Sequence, residues 1–324
     1  MQFFRFITSC IIVALLWDTT VQKQNQNSYA NNVYILLSAS KFYFNYRHTL
    51  NVMIMYKYLK ENGITDDQIL LMLPTDHGCS PKNPFPGTLY HTHAHDFNWL
   101  CDDIEVDYKA EDLTADTILN MMRGRYEDFY PLSKKLHTNS DSRIFMYFNG
   151  HGGENFFKIQ DTDLIHSEDL AKVFNEMHIK GLYKELFMIL DTCEAESMFH
   201  QVDAPNLFLL SSALNHESAI ADVTDGTLNT FLSDKFSQVL GEFLFQPNGY
   251  KTRPDFKIGD FPRFFTYDKV KSHVGVKSTS DKQPSEVLFK DYFPTNKMNE
   301  ITLGEGIDGK QDDTKFFNWD DLLQ

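Results

Sequence analysis

The sequence predicts an α/β fold, a three-layer sandwich around a mainly parallel central sheet. Apolar runs of strand length recur along the chain, and nearly unbroken apolar runs are typical of strands buried on both faces of a sheet. Patterns with apolar residues every three or four positions lie between these runs and predict helices. Strands that alternate with helices indicate a parallel sheet. The strand-like runs are residues 33–37, 69–73, 144–148, 186–190 and 207–210.

The two ends of the chain differ from this central part. Arg5 precedes the mostly apolar run 6–17, and polar residues follow, which predicts a secretory signal peptide over residues 1–24. The run is shorter than the roughly 18 apolar residues that cross a bilayer, although an uncleaved anchor is the alternative. Regular patterns thin out over residues 246–296, and residues 297–324 form an acidic segment that we expect to be flexible.

The composition excludes one class of partner. The chain has 324 residues, 42% of them hydrophobic, which is sufficient to build a sizeable core. Its 45 acidic residues against 30 basic ones give a net charge of −15, which would repel nucleic acid phosphates. We therefore expect no binding of nucleic acid.

Cys193 is a candidate nucleophile. It lies in the sequence ILDTCEAESMF, directly after an apolar run, with Asp191, Glu194 and Glu196 nearby. A cysteine attacks as the thiolate, and neighbouring carboxylates oppose its ionisation, so a catalytic Cys193 needs an activating group elsewhere. An inert, buried cysteine is the alternative.

His151 is the candidate activating group. It lies in YFNGHGGENF, after the predicted strand 144–148. Ligands bind at the carboxyl ends of strands in open α/β sheets, so neighbouring strands would bring His151 and Cys193 together. The N–H groups of Gly152 and Cys193 could then form an oxyanion hole. The pair predicts nucleophilic catalysis.

Several motifs in order resemble the catalytic subunits of GPI transamidase, which are relatives of legumain with a caspase-like fold. The similarity extends over about residues 33–293. It implies a catalytic domain over residues 31–245 with its extension over 246–296. It also implies that Cys193 is the nucleophile, His151 the general base and Asn45 the third catalytic residue. The motifs are SKFYFNYRH (40–48), DDIEVDY (102–108), NGHGG (149–153), KIQD (158–161), DTC (191–193), SHVGVKS (272–278) and VLFKDYF (287–293).

The resemblance implies cleavage of a C-terminal signal through a thioester and transfer of the acyl group to the ethanolamine amine of glycosylphosphatidylinositol (GPI). Precursor proteins, the GPI lipid and other transamidase subunits are the implied partners. The implied location is the lumen of the endoplasmic reticulum, with membrane association through those subunits. Glu194 departs from the family, which usually has Gln there, and favours the alternative of a legumain-like endopeptidase. A non-catalytic assembly subunit is a third reading.

Acidic residues and alternating histidines indicate two candidate metal sites. No cofactor is required for the thiol chemistry, but the acidic cluster at residues 102–107 attracts a hard cation. The resemblance implies calcium held by Asp66, Glu105 and Asp107, and a solvated acidic turn is the alternative. His91, His93 and His95 alternate in HTHAH and would face one zinc ion on a strand, although a second ligand cluster at useful spacing is missing.

Three cysteines would remain after signal removal, Cys79, Cys101 and Cys193. An odd number in an oxidising compartment leaves at least one free or bonded to a partner. The resemblance implies that Cys79 forms a disulfide with a partner subunit. An internal bridge between Cys79 and Cys101 is the alternative.

Overall fold

A central sheet organises the part of the chain that the computed structural model describes, which is residues 32–91, 104–245, 249 and 253–293. Its seven strands, within those residues, are β1 (Asn32–Ser38), β2 (Ile69–Leu73), β3 (Tyr108–Lys109), β4 (Arg143–Asn149), β8 (Glu185–Asp191), β9 (Leu207–Ser211) and β12 (Gly275–Ser278). They lie in the order β12-β9-β8-β4-β1-β2-β3. All neighbouring pairs are parallel except β12 with β9.

Helices cover both faces of this sheet. The longer ones are α1 (Tyr46–Glu61), α2 (Ala115–Met122), α3 (Ser167–Ile179) and α4 (Lys235–Phe245), and two single-turn helices follow, α5 (Phe261–Phe264) and α6 (Tyr267–Val270). Successive β1 side chains alternate between two cores. Tyr34 and Leu36 pack with residues of α1 and α4, whereas Ile35 and Leu37 pack with residues of α2 and α3. The predicted three-layer α/β fold with a mainly parallel sheet is confirmed.

Two small sheets lie outside the central one. The first has β5 (Gly152–Gly153), β6 (Phe156–Ile159) and β7 (Asp163–His166), and it occupies the connection between β4 and α3. The second is the hairpin of β10 (Ala221–Asp225) and β11 (Thr230–Asp234), directly before α4. Both follow the carboxyl end of a central strand, so they lie at the end of the sheet where a site is expected.

The C-terminal segment is part of this packed structure. β12 extends the sheet beside β9, and the buried rings of Phe256, Phe261, Phe289 and Tyr292 join the core of α1 and α4. The predicted domain boundaries stay predictions, and both the predicted signal peptide and the acidic tail lie outside the described residues. Among the helices that are described, none has the length and apolarity needed to cross a bilayer.

The proline-rich segment after β2 has no helix or strand over residues 74–91. Within this segment, His77, Asn83 and Leu89 are buried. The Asn83 amide explains this, because its Nδ2 donates to the carbonyl oxygens of His77 at 3.3 Å, Gly78 at 3.1 Å and Thr88 at 2.8 Å. One side chain therefore holds the loop together from inside.

Candidate active site

The pairing of β4 with β8 brings the two predicted catalytic residues to the carboxyl ends of two neighbouring central strands. Asn149 and Asp191, the last residues of these strands, are directly opposite each other. The N–H of Gly150 then donates to the Asp191 carbonyl oxygen at 3.2 Å, so the two chains stay together beyond the strands. His151 and Cys193 each follow two residues after this pair. They leave the sheet at equivalent positions on neighbouring strands.

The Asn45 amide holds the His151 ring in one orientation. Asn45 is buried in a single turn of 3₁₀ helix, Tyr43–Asn45, before α1. Its Nδ2 donates to the Lys41 carbonyl oxygen at 2.8 Å, which leaves its Oδ1 2.9 Å from Nε2 of His151. An amide oxygen only accepts, so Nε2 must carry the hydrogen and donate it. In the neutral ring, Nδ1 is therefore the basic nitrogen.

Charges around His151 determine when it is neutral. Burial lowers its pKa below the usual value, and the positive charges of Arg47 and Lys158 add to this effect. Asp161 acts in the opposite direction. The ring of His48 stands edge-on to the His151 ring, with 4.7 Å between centroids, and burial lowers the pKa of His48 well below the usual value. His151 is consequently poised as a neutral base.

Cys193 is half-buried, with its Sγ 3.9 Å from the Ala219 carbonyl oxygen. The next residue, Glu194, has a left-handed backbone with φ of 50°. Its carboxylate accepts a hydrogen bond from the His216 N–H at 3.4 Å and lies 3.8 Å from Nδ1 of the same residue. A protonated His216 would offset the charge of Glu194. That Glu194 opposes thiolate formation stays a prediction.

Two backbone N–H groups remain for an oxyanion. The N–H of Lys158 donates to the His151 carbonyl oxygen, which makes Gly152 and Phe157 a non-hydrogen-bonded pair of the β5–β6 ladder. The ladder therefore does not use the Gly152 N–H.

The N–H of Cys193 likewise donates to no described residue, whereas its neighbours Thr192 and Glu194 do donate. The predicted oxyanion hole has both of its donors available.

Only glycine fits at position 152. A Cβ there would lie 2.6 Å from Oγ1 of Thr192 and 2.9 Å from the Phe156 carbonyl oxygen. These distances are too short for a methyl group, so the absence of a side chain lets the chain after β4 approach the chain after β8. Gly152 thus has a steric role besides the predicted one in oxyanion binding.

A buried polar network that we did not predict lies under the site. Oδ2 of Asp191 accepts hydrogen bonds from Tyr147 at 2.9 Å, Asn149 at 2.9 Å and Ser237 at 2.8 Å. Burial raises the pKa of Asp191, and these hydrogen bonds oppose the rise. The only signal in the sequence is a polar residue inside or at the end of an apolar run, as at Tyr147, Asn149 and Asp191.

The second half of this network ties α1 to the end of β11. Asp234 accepts hydrogen bonds from Nε of Arg47 at 3.0 Å and from Nδ2 of Asn51 at 2.6 Å. Burial raises the pKa of Asp234 to about 6, although Arg47 opposes the rise. Because Asn51 also donates to Asn149 at 3.3 Å, the helix that follows Asn45 is fixed to the strand that precedes His151.

The predicted calcium ligands lie around one cavity of about 460 Å³. Burial raises the pKa of Asp107 to about 7, and the charges of Glu105 and Asp66 add to the rise. Asp66, however, is already bonded to Lys60 at 2.6 Å and to Tyr56 at 2.7 Å. In the described part of the chain, no group of three or more His, Cys, Asp or Glu side chains is arranged to hold a metal ion. The side chains as placed do not fit calcium, and the site stays a prediction of the resemblance.

The other candidate ligands and cysteines are only partly described. His91 is buried, while His93, His95, Cys101 and the acidic residues 102–103 lie outside the described residues. Neither the zinc alternative nor the internal disulfide is therefore tested. Cys79 is an exposed free thiol.

The charges near His151 predict opposite effects for two substitutions. Lys158 and Asp161 form an ion pair at 3.1 Å. Lys158→Gln removes a charge that lowers the His151 pKa, so the acid limb of the pH dependence of kcat/KM should move to higher pH. Asp161→Asn removes a charge that raises this pKa, so the limb should move to lower pH. Both shifts should shrink in high salt. Two shifts in the same direction would contradict the proposed base.

Comparison with known proteins identifies the family. Residues 32–243 match the Peptidase C13 family. The chain is 38% identical to the GPI-anchor transamidase of Saccharomyces cerevisiae over 84% of its own length and 65% of that protein. It is 33% identical to the GPI-anchor transamidase of Homo sapiens, over 89% of the chain and 72% of that protein. For the protein of the same name from Schizosaccharomyces pombe, the identity is 32% over 83% of the chain and 70% of that protein.

Among solved structures, caspase-1 from Spodoptera frugiperda is similar, with a TM-score of 0.46 and 12% identity over 78% of this chain and 90% of that one. The chain spans about two thirds of the length of the Saccharomyces cerevisiae relative. The family match includes the segments that carry Asn45, His151 and Cys193. The chain belongs to the Peptidase C13 family, and the three relatives named above are GPI-anchor transamidases.

Proposed function

We propose that the chain is the catalytic subunit of a GPI transamidase. It cleaves a C-terminal attachment signal from precursor proteins and transfers the new acyl end to the ethanolamine amine of GPI. The observation that carries the proposal is the hydrogen bond between Asn45 and His151, at the point where the strands before His151 and Cys193 pair. This arrangement supports the proposal, because it orients the proposed base after the strand that pairs with the one before the proposed nucleophile.

The first half of the reaction forms a thioester. The Cys193 thiol gives its proton to Nδ1 of His151, and the sulfur attacks the carbonyl carbon of the scissile peptide bond. The developing oxyanion is stabilised by the N–H groups of Gly152 and Cys193. His151 then protonates the departing amine as the C–N bond breaks. The C-terminal attachment signal of the precursor leaves with a neutral amine at its new N-terminus.

The second half transfers the acyl group. The ethanolamine amine attacks the thioester carbon and gives a proton to Nδ1 of His151. The C–S bond breaks, the thiolate leaves, and the proton returns to Cys193. Water competes at the same carbon, so a positioned amine must have a large effective molarity, on the order of 10⁵ M or more. A legumain-like endopeptidase, which Glu194 favours, would use water alone.

The proposed setting is the lumen of the endoplasmic reticulum. The sequence pattern of residues 1–24 supports entry into the secretory pathway. Membrane-embedded precursors and the GPI lipid would then be reached through other subunits.

We predict that Cys193→Ala and His151→Ala each lower processing by at least about 10³-fold, because they remove the attacking atom and its base. The complex would be incubated with a precursor protein, with and without hydroxylamine, and the new C-terminus identified by mass spectrometry. His178→Ala, which changes an exposed histidine on α3, is the control. The wild type should form a hydroxamate.

Two outcomes would contradict this proposal. Near-normal processing by either variant would refute the assigned nucleophile or base. Hydrolysis without any hydroxamate would favour the endopeptidase, since the thioester would then react with water alone.

We further propose that Cys79 bonds covalently to a partner subunit. Its thiol is exposed, and its N–H donates to Oδ1 of Asp76 at 3.1 Å within the loop that Asn83 holds together. Non-reducing electrophoresis of the complex should show a larger species that Cys79→Ser abolishes. A single-chain species with a peptide that links Cys79 to Cys101 would refute the proposal.

A further inference from the structure

Two phenylalanine rings are exposed directly before the active-site residue Asn45. The ring of Phe42 is 49% exposed and that of Phe44 is 62% exposed. They are stacked, with 5.8 Å between centroids and 21° between planes. Tyr43, between them, packs inward against Tyr46 and His77. The two outer rings form one aromatic surface, which we call the Phe42–Phe44 platform.

Hydrogen bonds connect this platform to the catalytic histidine. The N–H of Asn45 donates to the Phe42 carbonyl oxygen at 3.0 Å, and its Nδ2 donates to the Lys41 carbonyl oxygen at 2.8 Å. The same Asn45 side chain contacts His151 at 2.9 Å. The segment that presents the rings is therefore the segment that orients the base.

The backbone of Phe42 indicates that this exposure is imposed. Its φ of 71° and ψ of 148° lie in a region that residues other than glycine rarely occupy. Such strained residues concentrate at ligand sites and active sites, where surrounding contacts hold them. Here the holding contacts are the hydrogen bonds that Asn45 donates to the carbonyl oxygens of Phe42 and Lys41. A bulky apolar ring is kept in solvent at the cost of backbone strain, which an inert surface position does not require.

A positive charge lies beside the rings. The ammonium of Lys41 is 5.2 Å from the centroid of the Phe42 ring. Lys41 forms no ion pair with a carboxylate in the described part of the chain. Arg47 and Lys158, the cations that act on His151, are paired with Asp234 at 3.0 Å and with Asp161 at 3.1 Å. Among the described residues, Lys41 is thus a cation without a carboxylate partner beside the exposed rings, and an anionic group suits it.

We propose that the Phe42–Phe44 platform and Lys41 bind the acceptor of the transfer reaction, a hexose phosphate ester that carries the reacting amine. The C–H bonds on one face of a hexose are attracted to the negative face of aromatic rings. The Lys41 ammonium suits the phosphate. This inference rests on the proposed function, which supplies such an acceptor.

The acceptor has the parts that this assignment needs. Only a two-carbon ethanolamine unit and one phosphate separate its amine from the sugar. In the protein, hydrogen bonds of Asn45 link the platform segment to His151. A sugar on the rings would place the amine at the thioester, where it replaces water as nucleophile. The platform thereby provides the positioning that transfer needs.

The test compares acceptors by how they divide the acyl-enzyme between transfer and hydrolysis. The complex with its full chain would receive a precursor protein and either ethanolamine, phosphoethanolamine or the 2-aminoethyl phosphodiester of mannose. Mass spectrometry gives the ratio of transfer to hydrolysis for each. In the wild type this ratio should rise at both steps, first with the phosphate and again with the sugar.

The variants separate the two contacts. Phe44→Ala and Phe42→Ala should each reduce, roughly fivefold, the increase in the transfer-to-hydrolysis ratio that the sugar gives. Lys41→Gln should reduce the increase that the phosphate gives by a similar factor. Phe44→Leu tests aromaticity at nearly constant bulk, and it should lose the sugar gain too. Phe129→Ala, which removes a ring that is 83% exposed on another loop, should change neither gain.

Three results would overturn the inference. In the first, the wild type shows no gain with the sugar. In the second, the platform variants lower transfer to ethanolamine by the same factor as transfer to the mannose phosphodiester. In the third, the platform variants raise only the KM for the precursor, which would assign the platform to binding of the donor. If neither hydroxylamine nor any other amine yields a transfer product, the proposed function fails and this inference fails with it.

Discussion

The parallel pairing of β4 with β8 is the constraint on which the site depends. Its register places Asn149 opposite Asp191, and His151 and Cys193 lie on the two chain segments that continue past this pair. A shift by one residue would turn each strand's side chains to the other face, exchanging the two apolar cores. The fully buried strands make such a shift costly, so the positions of His151 and Cys193 are fixed by the core.

The polar network under the site adds a second constraint. Buried carboxylates are unfavourable unless they are hydrogen-bonded, and Asp191 and Asp234 have such partners from several elements. The contacts of Asp234 fix α1, and α1 begins directly after Asn45. Truncating one partner would leave a buried charge with fewer hydrogen bonds, so we expect the network to tolerate substitution poorly. The orientation of His151 is therefore supported from beneath by residues that do not touch it.

Much of this architecture could be predicted from the sequence, because most of the central strands are buried and contain nearly unbroken apolar runs. β12 could not be predicted, since it is an edge strand with the mixed sequence GVKS. β5 consists of two glycines and carries no periodicity. His151 and Cys193 were predicted from their positions after strands, and Asn45 from the resemblance to the family. The network around Asp234 joins residues 183 and 187 positions apart, and such a distance gives no local signal.

Asn45 holds His151 as the Nε2–H tautomer, so that Nδ1 is the base. Nitrogen-15 NMR of the histidine-labelled protein reports this tautomer above the pH at which His151 becomes neutral. Spectra of the His151→Ala variant would assign the resonances. We expect a protonated Nε2 and an unprotonated Nδ1 in the wild type, and a mixture of tautomers in Asn45→Ala. A neutral His151 with its proton on Nδ1 in the wild type would show that Asn45 does not set the tautomer.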